Sequence, residues 1–272
     1  MIPNVLSIAG SDPSGGAGIQ ADLKAISANG AFAMTALTAL TAQNTQGVSD
    51  IHLVPPSFVQ SQIKAIFDDI RVDAIKIGMI ANAEIAAAVA DILQDCSAPI
   101  VLDPVMIAKG GAALLQPDAV SVVRDRLLPL AKVLTPNLPE AAHLLGTHTA
   151  VSRSEMTAQG RALLEFGPAA VLMKGGHLDG ADCPDCLVTQ TDTAWFDTHR
   201  TNTPNTHGTG CTLSAAMAAQ LAHGLDLFAA TQAAKAYVSD AIARSDDLTV
   251  GSGHGPTHHF FASYPDVKDP HP

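Results

Sequence analysis

The chain has 272 residues, 47% hydrophobic and 4% aromatic, and a formal charge of −11. That length suits a single α/β domain and would cramp two, and an Ala/Val/Ile/Leu-dominated apolar fraction suits a sheet covered by helices on both faces. The acidic balance argues against nucleic acid or an anionic membrane as a partner, MIPNVLSIAGSD lacks the basic start of a signal peptide, and AFAMTALTALTA is too short and too rich in threonine to span a bilayer.

In chain order, VLSIAG reads as a buried strand and GIQADLKAISANG as a helix closed by Gly30. MTALTALTAQN reads as a second strand, followed by the Pro-started helix PPSFVQSQIKAIFDDI. AIKIGMI then precedes the helix NAEIAAAVADILQD, PIVLDPV precedes DAVSVVRDRLLPL, and KVLTPN leads into LPEAAHLLG. The helix SRSEMTAQGRALLEFG runs into the strand AAVLMKGG, and CLVTQTDTAWFDTHRT alternates like an antiparallel hairpin at a sheet edge. LSAAMAAQLAHG is apolar all round, as a buried helix is. Strands alternating with helices predict a mostly parallel sheet with right-handed crossovers. With no internal repeat and no linker, residues 1–262 form one domain, and the Pro-rich, charged end, 263–272, is expected to be disordered.

Polar and glycine residues gather where the predicted strands end: Gly10–Ser11–Asp12, Gln43–Asn44, Gly78–Met79, Asp103–Pro104, Thr135–Pro136–Asn137 and Lys174–Gly175–Gly176. In open α/β sheets ligands bind at the carboxyl ends of the strands, so these six segments predict one site.

His207–Gly208–Thr209–Gly210–Cys211–Thr212 opens the buried helix. A glycine turn there aims backbone N–H groups and the positive end of the helix dipole at one spot, which suits a phosphate; alternatively it caps an ordinary core helix. Asp103, Asn137 and Glu140 offer the oxygen ligands that magnesium takes, although Glu140 in Asn137–Leu138–Pro139–Glu140 also fits an acid at a helix N-terminus. Lys174 is a phosphate contact or a strand-end lysine reaching solvent. Met79 is a soft surface for a ring or core filling. GSDPSGGAG lacks the dinucleotide spacing and no P-loop signature exists; Gly15, Gly16 and Gly18 form a turn before the first helix or fold over a small substrate. The late anion turn and early small-molecule end fit a kinase that brings ATP to an alcohol.

The cysteines are Cys96, Cys183, Cys186 and Cys211. They are too few for a disulfide scaffold, which predicts a reducing cytoplasm. Cys183–Pro184–Asp185–Cys186 has the spacing of half a zinc or redox site, but without a second pair it reads as a surface loop.

AGSDPSGGAGIQADLK, TALTAQNTQGV, IKIGM, VLDPVM, LTPNLPEA, VLMKGGH, THGTGCTLSAA and GPTHHF together resemble the hydroxymethylpyrimidine and hydroxymethylpyrimidine-phosphate kinases of thiamine biosynthesis, within the ribokinase-like superfamily. The likeness runs from the first strand to about Phe261, and GTGC in place of the superfamily's commoner GAGD is its most telling part. It implies a three-layer α/β/α domain with a mostly parallel central sheet, usually a homodimer. It also implies two successive phosphorylations dependent on ATP and magnesium, first of 4-amino-5-hydroxymethyl-2-methylpyrimidine and then of its monophosphate.

Carried onto this chain, the resemblance makes Cys211 the catalytic base and Gly208 to Cys211, with Gly210 among them, the anion hole. Gln43 reads the pyrimidine, with Gly10, Asp12, Met79 and Val105 around the ring. Asp103, Asn137 and Glu140 form the magnesium–phosphate region, and Lys174 and Thr209 meet the nucleotide phosphates. Gln43 suits its part, since a carboxamide presents a donor beside an acceptor, the complement of an aminopyrimidine edge. Cys211 is less obvious: a free thiol is only a few per cent ionised at neutral pH, the helix N-terminus lowers its pKa, and bound polyphosphate raises it. The resemblance assigns no role to His258 and His259, which read as a loop against the sheet end. A pyridoxal kinase and a non-catalytic pyrimidine-binding protein are the competing readings.

Overall fold

The computed structural model describes residues 1–106, 115, 116 and 118–264. Apart from Ser263 and Tyr264, the expected disordered tail lies outside them. Among the described residues, no helix is long and apolar enough to cross a membrane.

The first apolar run forms β1 (Asn4–Ala9) and leads into α1 (Gly18–Ala28), which Gly30 closes at φ +79°. The sequence predicts one strand over MTALTALTAQN; the structure has two, β2 (Phe32–Leu37) and β3 (Ala39–Asn44). Thr38 makes the break. It is fully buried, its hydroxyl donates to the Met79 carbonyl at 2.6 Å, and its own carbonyl accepts from Val54 N–H at 3.0 Å. The chain therefore leaves the main sheet at Thr38 and pairs β3 antiparallel with β4 (Gly47–Leu53), a strand the sequence reading leaves unassigned.

Next come α2 (Pro56–Phe67), with Pro56 in its first turn, β5 (Ala74–Ile77), and α3 (Ala83–Leu93), capped by Asn82 on the Ile85 N–H at 2.8 Å. β6 (Ile100–Leu102) follows. The single helix predicted over DAVSVVRDRLLPL is instead a short α4 (Ala119–Val122), a π turn over Val123–Leu127 and a 3₁₀ turn over Leu128–Leu130. Pro129 lacks the N–H that would continue the α ladder, so the spiral changes pitch before it. Then come β7 (Val133–Leu134), α5 (Leu138–Leu145), α6 (Arg153–Leu164) and β8 (Ala170–Lys174). The predicted edge hairpin is β9 (Asp185–Thr189) and β10 (Thr193–Phe196), and the last long helices are α7 (Thr209–Ala222) and α8 (Leu227–Ala243).

The central sheet has the order β10-β9-β8-β7-β6-β5-β1-β2. From β8 to β2 its pairings are parallel, while β9 and β10 are antiparallel. Strand residues alternate between two cores: Leu6, Ile8, Ile75 and Ile77 pack toward α2, α3, α5 and α6, and Val5, Ala74, Val101 and Leu172 toward α1, α7 and α8. This is the expected three-layer ribokinase-like α/β/α arrangement. α7 is buried from Thr212 to Ala219, and its run of small residues lets it lie close against the sheet and both neighbouring helices.

Two expectations need correction. Cys183–Cys186 is not simply a surface loop: Cys186 is fully buried in β9, and Asp185 binds Lys235 at 2.7 Å and accepts from Gly175 N–H at 2.9 Å. Among the described residues, no three or more His, Cys, Asp or Glu side chains group as metal ligands. His258 and His259 pack against α7 and α8, not the sheet end. His259 Nε2 lies 3.0 Å from Thr212 Oγ1, its carbonyl accepts from Tyr237 at 2.8 Å, and His258 N–H donates to Ala241.

Burial pushes His259 down to about 3, helped by the Lys24 and His258 charges. An exposed histidine protonates near 6.5, so between the two values the unfolded chain takes up a proton that the fold refuses. Stability therefore falls as pH falls through this window, by ~1.4 kcal/mol per pH unit from this group. In urea unfolding at several pH values, His259→Asn is expected to be less stable than the parent at neutral pH but to lose stability less steeply below about pH 6. Parallel pH dependences in parent and variant would contradict it.

Candidate active site

Five of the six predicted segments lie at the carboxyl ends of adjacent strands β1, β5, β6, β7 and β8. The sixth, Gln43, sits on the β3–β4 hairpin and reaches the same place differently. Its amide nitrogen is 3.3 Å from His207 Nε2, just before α7. The hairpin tip is held by the chain after α8, with His254 N–H donating to the Thr45 carbonyl at 2.8 Å.

The turn before α7 depends on glycine. Gly208 has φ +76°, and a Cβ there would fall 1.8 Å from the Gly16 carbonyl oxygen. No side chain caps α7, which leaves its first turn to the backbone. Thr209 lies in that turn, its hydroxyl donating to the Thr206 carbonyl at 2.8 Å. Gly210 lies over two charged groups: a Cβ there would be 3.3 Å from Lys174 Nζ and 3.4 Å from Asp103 Oδ2.

Lys174 does not run to solvent. Its ammonium binds Asp103 Oδ1 at 2.7 Å, and Asp103 also accepts from Thr135 Oγ1 at 3.3 Å. Burial opposes the charge on Lys174, but Asp103 and then Glu140 outweigh it and hold its pKa above the ordinary lysine value. Glu140 serves both of its proposed readings. It completes a capping box with Asn137, each accepting the other's backbone N–H at 2.8 Å, and it faces Lys174 and Asp103. Burial pushes Glu140 up to about 7; Lys174 opposes the rise and Asp103 adds to it. Asp103 and Glu140 interact through Lys174, and with the Asn137 amide oxygen they are hard-oxygen donors of the kind Mg²⁺ takes, completed by substrate phosphates and water.

Asp12, expected around the ring, is 1% exposed and turned inward. Its oxygens accept from the N–H and hydroxyl of Ser14 at 2.9 and 2.6 Å, from Ala17 N–H at 2.8 Å, and contact His207 Nε2 at 2.8 Å. Burial opposes its charge, but the His207 and Ser14 bonds hold its pKa below the usual carboxylate value. The Gly15–Gly18 segment is thus the turn before α1, seated on the anion turn, and a Cβ on Gly16 would strike the His207 ring at 2.4 Å. Gly10 makes room for Met79, whose Cε would be 2.3 Å from a Cβ there. Val105 follows β6, half-buried, its N–H on the Asp103 carbonyl at 2.8 Å.

Cys211 is partly open to the cleft but crowded by protein atoms. Burial pushes its thiol up to about 11; Lys76 pulls it back, while Asp22 and Asp103 add to the rise. The expected lowering by the helix terminus is thus outweighed by desolvation and carboxylates. Two groups here received no role from the sequence: His207, which joins Asp12 to Gln43, and the buried pair Lys76–Asp22 beneath Cys211. His207 is recognisable only as the residue before GTGC, and its partners lie 195 and 164 positions away.

A family model described as phosphomethylpyrimidine kinase matches residues 12–258. The chain belongs to the phosphomethylpyrimidine kinase family. It is 53% identical over 260 residues to the hydroxymethylpyrimidine/phosphomethylpyrimidine kinase of Salmonella typhimurium, covering 95% of this chain and 98% of that one. Among solved structures, a phosphomethylpyrimidine kinase from Clostridium difficile superposes with a TM-score of 0.79 at 41% identity, over 88% of this chain and 99% of the other. The ADP complex of Bacillus subtilis pyridoxal kinase gives 0.87 at 34% identity, over 96% and 98%. The family's fold therefore extends to kinases of a second ring substrate.

Proposed function

We propose that this chain uses ATP to phosphorylate 4-amino-5-hydroxymethyl-2-methylpyrimidine, and then its monophosphate to the diphosphate, in thiamine biosynthesis. The observation that carries this reading is the meeting of the anion turn, Lys174 and Asp103 at Gly210. The first turn of α7 and Lys174 receive the transferring phosphoryl group, with Thr209 beside the nucleotide phosphates. Gln43, steadied beside His207, takes the aminopyrimidine edge, and Gly10, Asp12, Met79 and Val105 shape the ring's surroundings, Asp12 by holding the loop and His207 in place.

Asp103, Asn137 and Glu140 would hold Mg²⁺, which supplies charge neutralisation on the phosphates. In the first reaction the hydroxymethyl oxygen forms a bond to the γ-phosphorus as the bond to the bridging oxygen of ADP breaks. The alcohol proton passes to the thiolate form of Cys211.

The reading also takes the chain as a cytoplasmic homodimer. Four free cysteines suit a reducing compartment, and exposed Phe32, Leu40 and Phe58 on β2, β3 and α2 offer apolar surface to a second copy.

A coupled ADP-release assay with the alcohol, its monophosphate and pyridoxal tests the function. Release with both pyrimidines is expected. Release with pyridoxal alone would favour the competing kinase, and none with any of the three would leave only a binding protein.

Gln43→Leu leaves the polar ligand edge without its partner, which costs about 1–3 kcal/mol, roughly five- to a hundredfold in affinity. Calorimetric binding of the alcohol within twofold of the parent would remove Gln43 from recognition.

A further inference from the structure

Lys76 is fully buried in β5 between Ile75 and Ile77. Those two side chains pack toward α2 and α3, so strand alternation turns Lys76 to the side of α1 and α7. Its ammonium lies 2.9 and 2.8 Å from the two carboxylate oxygens of Asp22 on α1, and Ser7 on β1 donates to the same carboxylate at 2.6 Å. A Cβ on Gly78 would come within 2.6 Å of Nζ. The ammonium therefore reaches the carboxyl end of β5, where the anion turn and the other strand ends converge, and α7 packs across β1, β5 and β6.

Stability does not account for this pair. Apolar side chains of similar volume serve a core as well as a buried ion pair, or better. What the pair adds is a fixed charge in a dry place. The charged groups that act on Cys211 are Lys76 from β5, Asp22 from α1, Asp103 after β6 and Lys174 at the end of β8. His259, bonded to Thr212 on the same helix turn, is neutral. The Gly18 backbone N–H, one turn before Asp22 on α1, bonds the Cys211 sulfur, so the thiol sits over the helix that holds the Lys76 ammonium.

We propose that Lys76, held by Asp22 and Ser7 beneath the first turn of α7, is a positioning residue whose buried positive charge supports a thiolate at Cys211 and negative charge arriving at the anion turn. Asp22 sets how much of that charge Cys211 feels. A charge already in place needs no reorganisation when the phosphoryl group arrives. Its consequence for turnover rests on the proposed kinase reading; the coupling to the thiol does not.

The two residues should act with opposite signs. Iodoacetamide alkylation of Cys211, followed peptide by peptide from about pH 7 to 10, reads the thiolate directly. Asp22→Asn leaves Lys76 unbalanced and is expected to speed alkylation severalfold at a given pH. The double variant Lys76→Met/Asp22→Asn is expected to be about tenfold or more slower than Asp22→Asn alone, a shift of at least about one pH unit in its profile. Equal profiles in the single and double variants would overturn the proposal, as would slowing in Asp22→Asn.

If either variant fails to fold, Gly78→Ala keeps both charges and crowds the ammonium away from the site. It is expected to slow alkylation of Cys211, and an unchanged profile there would overturn the proposal equally. Alkylation needs neither ATP nor a pyrimidine. A parent protein that released no ADP would remove the proposed function while leaving this coupling to be judged on its own result.

Discussion

Asp103→Asn is expected to lower turnover by about 10²–10³-fold with both the alcohol and the monophosphate, the usual cost of removing a group that stabilises charge in the transition state. Three features of the site converge on this residue. Asp103 holds Lys174 at 2.7 Å, lies beneath Gly210, and is one of the two carboxylates available to Mg²⁺. The asparagine keeps the shape and removes the charge, so Lys174 loses its main partner and Glu140 loses the like charge that helps hold it near 7. Because the γ-phosphoryl group is transferred in both reactions, the two should fall together. Steady-state rates across a Mg²⁺ titration, with a thermal melt to confirm folding, measure this. Turnover within tenfold of the parent, or full parent activity in chelator, would eliminate the metal–phosphate assignment.

The reach of the sequence reading shows at Asp103 and Lys174. Each ends a short apolar run, and open α/β sheets place such ends together, so their meeting follows from the strand pattern. The hairpin that carries Gln43 does not follow from it. MTALTALTAQN holds no glycine or proline to mark the break at Thr38, because the break is made by a tertiary contact, the Thr38 hydroxyl on the Met79 carbonyl. β4, with Ser49, Asp50 and His52, has too little apolar alternation to read as a strand, since the two-stranded sheet it forms is largely exposed. The Lys76–Asp22 pair is hidden for a further reason. Its members are 54 residues apart, and a lysine in AIKI or an aspartate in QADLK looks like a solvent-facing residue of its own element. Only the packing of α1 on β1, the strand beside β5, turns them toward each other. Burial is the main reason the Cys211 thiol does not behave as its helix position predicts, with Asp22 and Asp103 adding to the rise and Lys76 opposing it. The dipole is legible in the sequence; the carboxylates and the desolvation that oppose it are not.

Cys211→Ala is expected to separate the two phosphorylations. An alcohol must shed its proton as it attacks, and loss of a general base costs about 10²–10⁴-fold, so the hydroxymethyl reaction should fall by ~10²-fold or more. A phosphate monoester has its second pKa near ~6, so its attacking oxygen is already ionised at neutral pH and needs no base. Its reaction should suffer less, losing only what the side chain adds to the shape of the anion turn. The elevated thiol, at about 11, supplies an independent signature. Well below that value the thiolate fraction grows tenfold per pH unit, so the parent's alcohol rate should climb through the neutral and mildly alkaline range while the monophosphate rate stays level. In Cys211→Ala the climb should vanish. Single-turnover rates for both substrates, in parent and variant, across that range decide the matter. Equal fractional losses would show that Cys211 acts through structure or electrostatics common to both steps, and a larger loss for the monophosphate would reverse the assignment of Cys211 as the base.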